Sequence, residues 1–411
     1  MTWHVLDVGS IWIKEFASAL SSFMPTVSWA PAMRTYGFLE RWEREEELAD
    51  PPLRIRRFPL QRGYSRFPFS ALTHLGKRQT ERMLRQGDAA AESPLICTTP
   101  FYASVAERWK GPVVYYQTDL TIAYQDVDAR IVRSCDRRLC RVATVVCPNS
   151  RRIAEYMVHE AGCDSAKIVI VPNATRATNV LAQAPSGPAI LPADLQELRR
   201  PVVGVLGNLA ANLDWQLLAE AVERTPDYSW AFVGPTGMSV PAGAQNEARE
   251  RLLKHGGRVR FAGAKPYQAL QEYARAFDVA VLPYVRKEPT FSGSSTRFYE
   301  HLAACRPILS TRGFEELLHK EPLLELINSA AELAGKLATL RRTDFDDGRN
   351  ELRWKASQSG TWNVRAATLA RALAARWNEE LPIAGMPDAT LGDSSEETFQ
   401  AGKGAPFSLI S

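Results

Sequence analysis

Short apolar runs alternate with stretches of helical spacing along most of the chain. In the first half, His4–Val8 predicts a short strand and Ile13–Phe23 a helix. Pro94–Thr98 and Val113–Tyr116 are strand-like, Ala129–Arg141 is helical, and Ala143–Cys147 reads as a buried strand. Ser150 is placed to cap a helix over Arg151–Ala161, because its hydroxyl can accept from N–H groups that a first turn leaves unpaired. Lys167–Val171 adds a strand closed by Pro172-Asn173. Apolar runs alternating with helices imply a parallel sheet covered on both faces.

The pattern breaks at Leu181–Arg200, where Pro185, Gly187, Pro188 and Pro192 crowd together, as in a linker. The rhythm then restarts. Strands are expected at Pro201–Leu206, Trp230–Val233, Val259–Ala262, Val279–Pro283 and Ile308–Ser310. Helices are expected at Trp215–Thr225, Glu247–His255, Tyr267–Ala276, Glu300–Cys305, Ala330–Leu340 and Trp362–Trp377. Such alternation gives a doubly wound α/β sheet with its ligand crevice at the strand C-termini. The expected division is a domain over 1–180, a linker over 181–200, a second domain over 201–381 and a disordered, Gly-, Ser- and Asp-rich tail over 382–411. A length of 411 residues agrees with two domains.

Composition narrows the function classes. A net charge of +4 argues against a dedicated nucleic-acid binder. The six cysteines form no CxxC pair or His/Cys ligand set and read as reduced core thiols of a cytoplasmic protein. The first residues lack a basic start before an apolar run, and no stretch is apolar enough to span a bilayer. Charge is uneven, however: between Arg54 and Gln86 nine Lys/Arg face a single acid, Glu81. Within Arg54–Phe69, arginines interleave with Phe58, Tyr64, Phe67 and Phe69. That mixture suits an anionic membrane surface on the inner face of the cell membrane, or a pyrophosphate-linked acceptor; it also suits a solvated loop whose aromatics pack on the domain.

The chemistry concentrates in FSGSSTRFYEHLAACRPILST, Phe291–Thr311. Ser292, Gly293, Ser294 and Ser295 offer small side chains and N–H donors at a helix start, where an anion can sit. Glu300 can accept two ribose hydroxyls and Arg297 can pair with phosphate; the plain alternative is a solvated Glu300. Gly207-Asn208 form a strand-to-helix turn fit to approach a diphosphate, in a sequence that is not GxGxxG. Lys265 follows another strand, where it could hold a base or serve an ordinary connection. Asp119, just past Val113–Tyr116, could orient or deprotonate a hydroxyl, or cap a turn, with Asp126 and Asp128 competing for that role. No histidine stands in a recognisable nucleophile setting.

Three blocks, GNLAANLDWQLLAEAVERTPDYSWAFVGP, RVRFAGAKPYQALQEYARAFDVAVLPY and TRFYEHLAACRPILST, resemble the group 1 glycosyltransferases (family 4, retaining, GT-B fold), nearest the teichuronic-acid type. GSIWIKEFASAL and PVVYYQTDLTIAY resemble the same branch, carrying Trp12 and Asp119 toward the cleft. The resemblance implies two Rossmann-like domains facing a central cleft, with a C-terminal helix closing back. It implies transfer from a nucleotide diphosphate sugar to a glycan or lipid-linked saccharide, without a cofactor or a metal. Glu300 would match the ribose-binding glutamate, Arg297 the basic donor-loop residue, and Gly207-Asn208 the phosphate-side turn. Many members carry a second glutamate where this chain has Ser292. That departure keeps a second reading open, a catalytically silent GT-B protein that binds nucleotide or serves as a scaffold in polysaccharide assembly.

Overall fold

The computed structural model describes residues 1–34, 44–66, 70–87, 92–237, 239–377 and 407–409. The chain forms two compact units. One comprises Met1–Asn173 with Ser292–Ser294 and Trp362–Leu409, and the other Ala174–Phe291 with Ser295–Thr361.

The first unit runs β1 (Trp3–Leu6), α1 (Ile11–Ser21), β2 (Thr26–Arg34), β3 (Arg44–Ala49), β4 (Pro52–Gln61), α2 (Ala71–Gly87), β5 (Leu95–Cys97), α3 (Ala103–Ala106), β6 (Val113–Gln117), α4 (Ala129–Val142), β7 (Val145–Pro148) and α5 (Arg151–His159). Its described strands lie in the order β3-β4-β2-β1-β5-β6-β7, parallel except for β3. Without the β3 edge this is the 3-2-1-4-5-6 order of a doubly wound nucleotide-binding sheet. Ser150 caps α5 as expected, accepting from the Ile153 N–H at 3.1 Å. Lys167–Val171 differs from expectation: it makes one bridge, Val146 to Ile168, and runs beside β7 without a continuous ladder.

The hairpin-like β3–β4 pair is absent from the sequence-based reading, and charge explains its form. Leu53, Ile55 and Phe58 of β4 are buried. Arg54 and Arg57 point to β3 instead, where they meet Glu47 at 2.8 Å and Glu46 at 2.9 Å. A row of acids on the edge strand thus pairs with the basic row beside it. Arg56 sits 5.6 Å from the Trp29 ring. Much of the basic, aromatic segment is therefore sheet, with its apolar side chains in the core. Phe67 and Phe69 lie outside the described residues.

The second unit runs β8 (Val202–Leu206), α6 (Trp215–Arg224), β9 (Ser229–Val233), α7 (Gly243–Leu253), β10 (Val259–Gly263), α8 (Leu270–Ala276), β11 (Val279–Leu282), α9 (Thr296–Ala304), β12 (Ile308–Ser310), β13 (Glu325–Leu326), α10 (Ala330–Arg341) and α11 (Asn350–Ser359). Its described strands are all parallel in the order β10-β9-β8-β11-β12-β13, again 3-2-1-4-5-6. Trp215, Trp230, Phe232 and Phe261 form a stacked aromatic wall on one side of this sheet. The helix expected at Glu300–Cys305 begins a turn earlier, because Ser295 supplies the cap, accepting from the Phe298 N–H at 3.3 Å.

α12 (Trp362–Trp377) closes back onto the first unit, packing on α1 and β7. It buries Trp362, Val364, Ala366, Ala367, Leu369, Ala370 and Leu373. Most of the tail expected to be disordered lies outside the described residues. Phe407 is the exception: its ring centroid lies 5.6 Å from that of Tyr156, and Arg152 lies 5.0 Å from it.

Candidate functional site

In a sheet of this order the switch point lies between the first and fourth strands, and ligands bind beyond the strand C-termini there. In the second unit those strands are β8 and β11. Gly207 follows β8 with φ 119°, in the region that favours glycine. A Cβ on Gly207 would lie 2.3 Å from Arg297 Nε, so the absent side chain is what admits the guanidinium. Gly234, at the end of β9 with φ 147°, approaches just as closely: its Cβ would fall 1.7 Å from the Gly207 carbonyl oxygen. The two glycines let two loops and one arginine stack at the switch point.

Arg297 stands in the first turn of α9 and donates to Glu300 Oε2 at 2.8 Å, one turn on. Glu300 is 2% exposed and Arg297 19%. Burial pushes the Arg297 guanidinium pKa down, but Glu300, then Tyr284 and Tyr267, more than restore it, so it stays charged. Tyr284, just past β11, has its phenol pushed up to about 12 by burial, against the pull of Arg297. His301 is fully buried, and burial followed by Arg297 pushes its imidazole down to about 3, so it is neutral. The result is one partly buried guanidinium beside one buried carboxylate on a glycine floor. Opened toward a ligand, that pair offers a cation for phosphate and an acceptor for hydroxyls.

The loop before α9 does not leave every N–H free. The Ser295 N–H donates to Glu316 Oε2 at 2.9 Å, and Tyr299 donates to the other oxygen of Glu316 at 2.5 Å. Ser292 and Ser294 group with the first unit. There the Ser292 carbonyl accepts from Ser150 Oγ at 2.5 Å and its hydroxyl from Arg152 Nε at 3.2 Å. Ser294 is fastened by Asn173, through N–H to Oγ at 3.0 Å and Nδ2 to the carbonyl at 2.7 Å. Gly293 is buried between them, and Asn208 is exposed. Lys265 is engaged elsewhere: it pairs with Asp194 at 2.7 Å and lies 5.6 Å from the Tyr273 ring. The hydrogen bond with Asp194 raises its pKa and holds it charged.

In the first unit the corresponding switch-point strands are β1 and β5. Asp7 ends β1 with φ 69° and is 8% exposed. Burial raises its carboxyl, while the Tyr64 hydroxyl, donating at 2.5 Å, and Tyr102 pull it back. Asp119 lies past β6, beside Thr118, whose Oγ1 accepts from Trp12 Nε1 at 3.3 Å. Burial pushes the Asp119 carboxyl up to about 7, and a hydrogen bond from Tyr124 lowers it only in part. The helix-cap role falls to Asp128, which accepts from the Arg130 N–H at 2.8 Å. Asp119 thus keeps its carboxylate for Tyr124 and for whatever meets this strand end.

Sequence reasoning passed over Asp7, Tyr284 and Glu316, and took Tyr64 only as one aromatic of the basic Arg54–Phe69 segment. Asp7-x-Gly9 directly after a strand was a usable signal for the first of these. Glu316 had none, because it reaches Ser295 from a separate turn.

Two Rossmann-like sheets of this order are the architecture of GT-B glycosyltransferases. Solved structures agree on the fold. HepE from Anabaena, in complex with UDP-glucose, superposes with TM-score 0.66 at 16% identity over 91% of this chain and 100% of that one. A glycosyltransferase from Rickettsia africae gives TM-score 0.66 at 12% identity over 92% and 100%. Sucrose-phosphate synthase from Thermosynechococcus elongatus gives 0.64 at 15% identity over 90% and 98%. Residues 29–174 match the glycosyl transferase 4-like domain and residues 200–342 match glycosyl transferases group 1; the chain belongs to the group 1 glycosyltransferases. TuaH of Bacillus subtilis (strain 168), assigned to teichuronic acid biosynthesis as a glycosyltransferase, is 24% identical over 110 residues. That alignment spans 27% of this chain and only 26% of TuaH.

Proposed function

We propose that the protein transfers a sugar, with retention, from a nucleotide diphosphate sugar to a glycan or lipid-linked saccharide in cell-surface or exopolysaccharide synthesis. The observation that carries this is the partly buried Arg297 paired with the buried Glu300 and packed on Gly207 at the second switch point. Glu300 accepts the two ribose hydroxyls. Arg297 turns to the diphosphate, whose charge grows as the glycosidic bond breaks, and the Gly207 backbone lets the phosphates come close. No metal is required in this scheme, because the guanidinium counters the leaving charge. The departing diphosphate takes the acceptor proton on the same face, which gives retention. Asp119 orients the acceptor hydroxyl by accepting its hydrogen bond, and the proton itself leaves with the diphosphate.

Lys265, on the loop after β10, is held by Asp194. Ser292, Gly293 and Ser294 set the loop that leads into α9. The enzyme works in the cytoplasm, and among the described residues no helix is long and apolar enough to cross a membrane.

The test is donor hydrolysis across UDP-, GDP- and ADP-sugars, joined to a thermal-shift panel of the same nucleotides. One base should raise the melting point, since ligand binding to the native state stabilises it. Slow release of that nucleotide from its sugar should be lost in Glu300→Gln. A protein that no nucleotide stabilises would overturn the proposal.

A further inference from the structure

α2 shows two unlike faces. Thr73, Lys77, Thr80, Glu81 and Leu84 are turned inward and buried. Leu72, Leu75, Arg78 and Arg82 follow at three- and four-residue spacing, which sets them on one stripe. Leu72 is 36% exposed and Leu75 50%, so two large apolar side chains stand in solvent at the start of the stripe. Arg78 and Arg82 are exposed too, and among the described residues neither forms an ion pair. The one acid on the helix is turned away: Glu81 is held by Arg85 at 2.8 Å and Arg108 at 2.7 Å. The stripe is therefore apolar at one end, cationic at the other, and free of negative charge.

The surroundings reinforce this. His74, on the same helix, has its imidazole lowered first by burial and then by Lys77, Arg108, Arg78 and Arg138. Arg108 and Arg138 are paired with Glu81 and Glu107, so the unbalanced positive charge of the outward stripe comes from Arg78 and Arg82. The arginines of β4, by contrast, are largely committed: Arg54 and Arg57 to β3 glutamates, and Arg56 against Trp29. The surface suited to anionic lipid is thus displaced from the segment where the sequence suggested it.

We propose that the outward stripe of α2, Leu72, Leu75, Arg78 and Arg82, docks the first unit on a membrane surface rich in anionic phospholipid. The leucines enter the headgroup–acyl boundary and the guanidiniums meet lipid phosphates. Exposed leucines leading into the arginines favour lipid over a soluble polyanion, which would have no use for them. The proposal does not rest on the transfer reading.

Co-sedimentation of the full chain with vesicles tests it, comparing mixed phosphatidylglycerol–phosphatidylcholine vesicles with pure phosphatidylcholine. Binding should require the anionic lipid and weaken with salt. Arg78→Ser with Arg82→Ser should weaken it about 25-fold, at roughly fivefold for each cation. Leu72→Ser with Leu75→Ser should weaken it on the order of tenfold. Arg54→Ser with Arg57→Ser should leave it within about twofold. All these positions are checked for folding by circular dichroism, and Arg82→Glu alone gives an independent readout. Equal binding to pure phosphatidylcholine, or arginine variants that bind like the unchanged protein, would overturn the proposal. So would binding undiminished by both leucine changes, which would mark adsorption by charge alone with no insertion of the stripe.

Discussion

Asp119 shows how a single burial event sets a testable pH behaviour. Its folded-state pKa is raised from 3.8 to about 7. Stability tied to its neutral form is complete below the unfolded value and is lost as pH rises through the folded one. Asp119→Asn should therefore match the unchanged protein in melting temperature near pH 4 and exceed it above about pH 7, as thermal unfolding across pH would show. Activity should run the other way. If the ionised carboxylate holds the acceptor hydroxyl in place, kcat rises toward a plateau above about pH 7, and Asp119→Asn is slower by on the order of 10²-fold with that limb removed. Gly207 is the second residue with a sharp consequence. Gly207→Ala forces a methyl against Arg297 at a positive φ, so a loss of about 1–3 kcal/mol and weaker nucleotide binding are expected by calorimetry. Gly207, Arg297 and Glu300 were legible in the sequence as types at suggestive positions. Their mutual contact was not, because Arg297 lies far along the chain from Gly207 and only the fold of the second sheet joins them.

Among the elements, the strands of the second unit were read closely, since Val202–Leu206 and Val279–Leu282 are uniformly buried and hence uniformly apolar. β2, β3 and β4 escaped. Pro31 in β2 and Pro52 and Pro59 in β4 interrupt the strand signal, and the edge strand β3 is acidic rather than apolar, its glutamates pairing with β4 arginines while staying largely exposed to water. Phe58 is the anchor of β4, fully buried with its ring centroid 6.3 Å from that of Tyr102. Phe58→Ala should cost about 3–5 kcal/mol, seen as a large fall in the thermal midpoint. Ser150 is an element-scale residue of another kind. It caps α5 and also donates to the Ser292 carbonyl. Ser150→Ala should cost at least ~1 kcal/mol of stability, and Ser150→Thr should restore most of it.

At the scale of the whole molecule, α12 belongs to the first unit although it follows the second in sequence. It returns from the far end of the sequence to cover α1 with Trp362, Leu369 and Leu373 among its buried residues. A chain ended at Thr361 would leave that face of α1 bare. It should lose cooperative unfolding and bind a hydrophobic dye, whereas a protein that kept a sharp transition would show α12 to be dispensable. The repeated 3-2-1-4-5-6 order is the other property of the whole: each unit places its own switch point, with Asp7 at one and Gly207 at the other.

The sequence by itself determined the fold class, the presence of two α/β domains and the family, because buried parallel strands and their helices leave an apolar rhythm in local composition. It also marked Glu300, Arg297, Gly207 and Asp119 as chemistry-bearing. Tertiary structure alone decided which of them meet. It set Arg297 on Gly207 and Glu300, drew Lys265 to Asp194, and assigned Ser292 to Ser150 and Arg152. It also buried the β4 arginines' neighbours while leaving the α2 stripe in solvent. The reason is physical: periodicity reports which way a side chain faces within its own element, while partners, burial and pKa depend on elements brought together from distant parts of the chain.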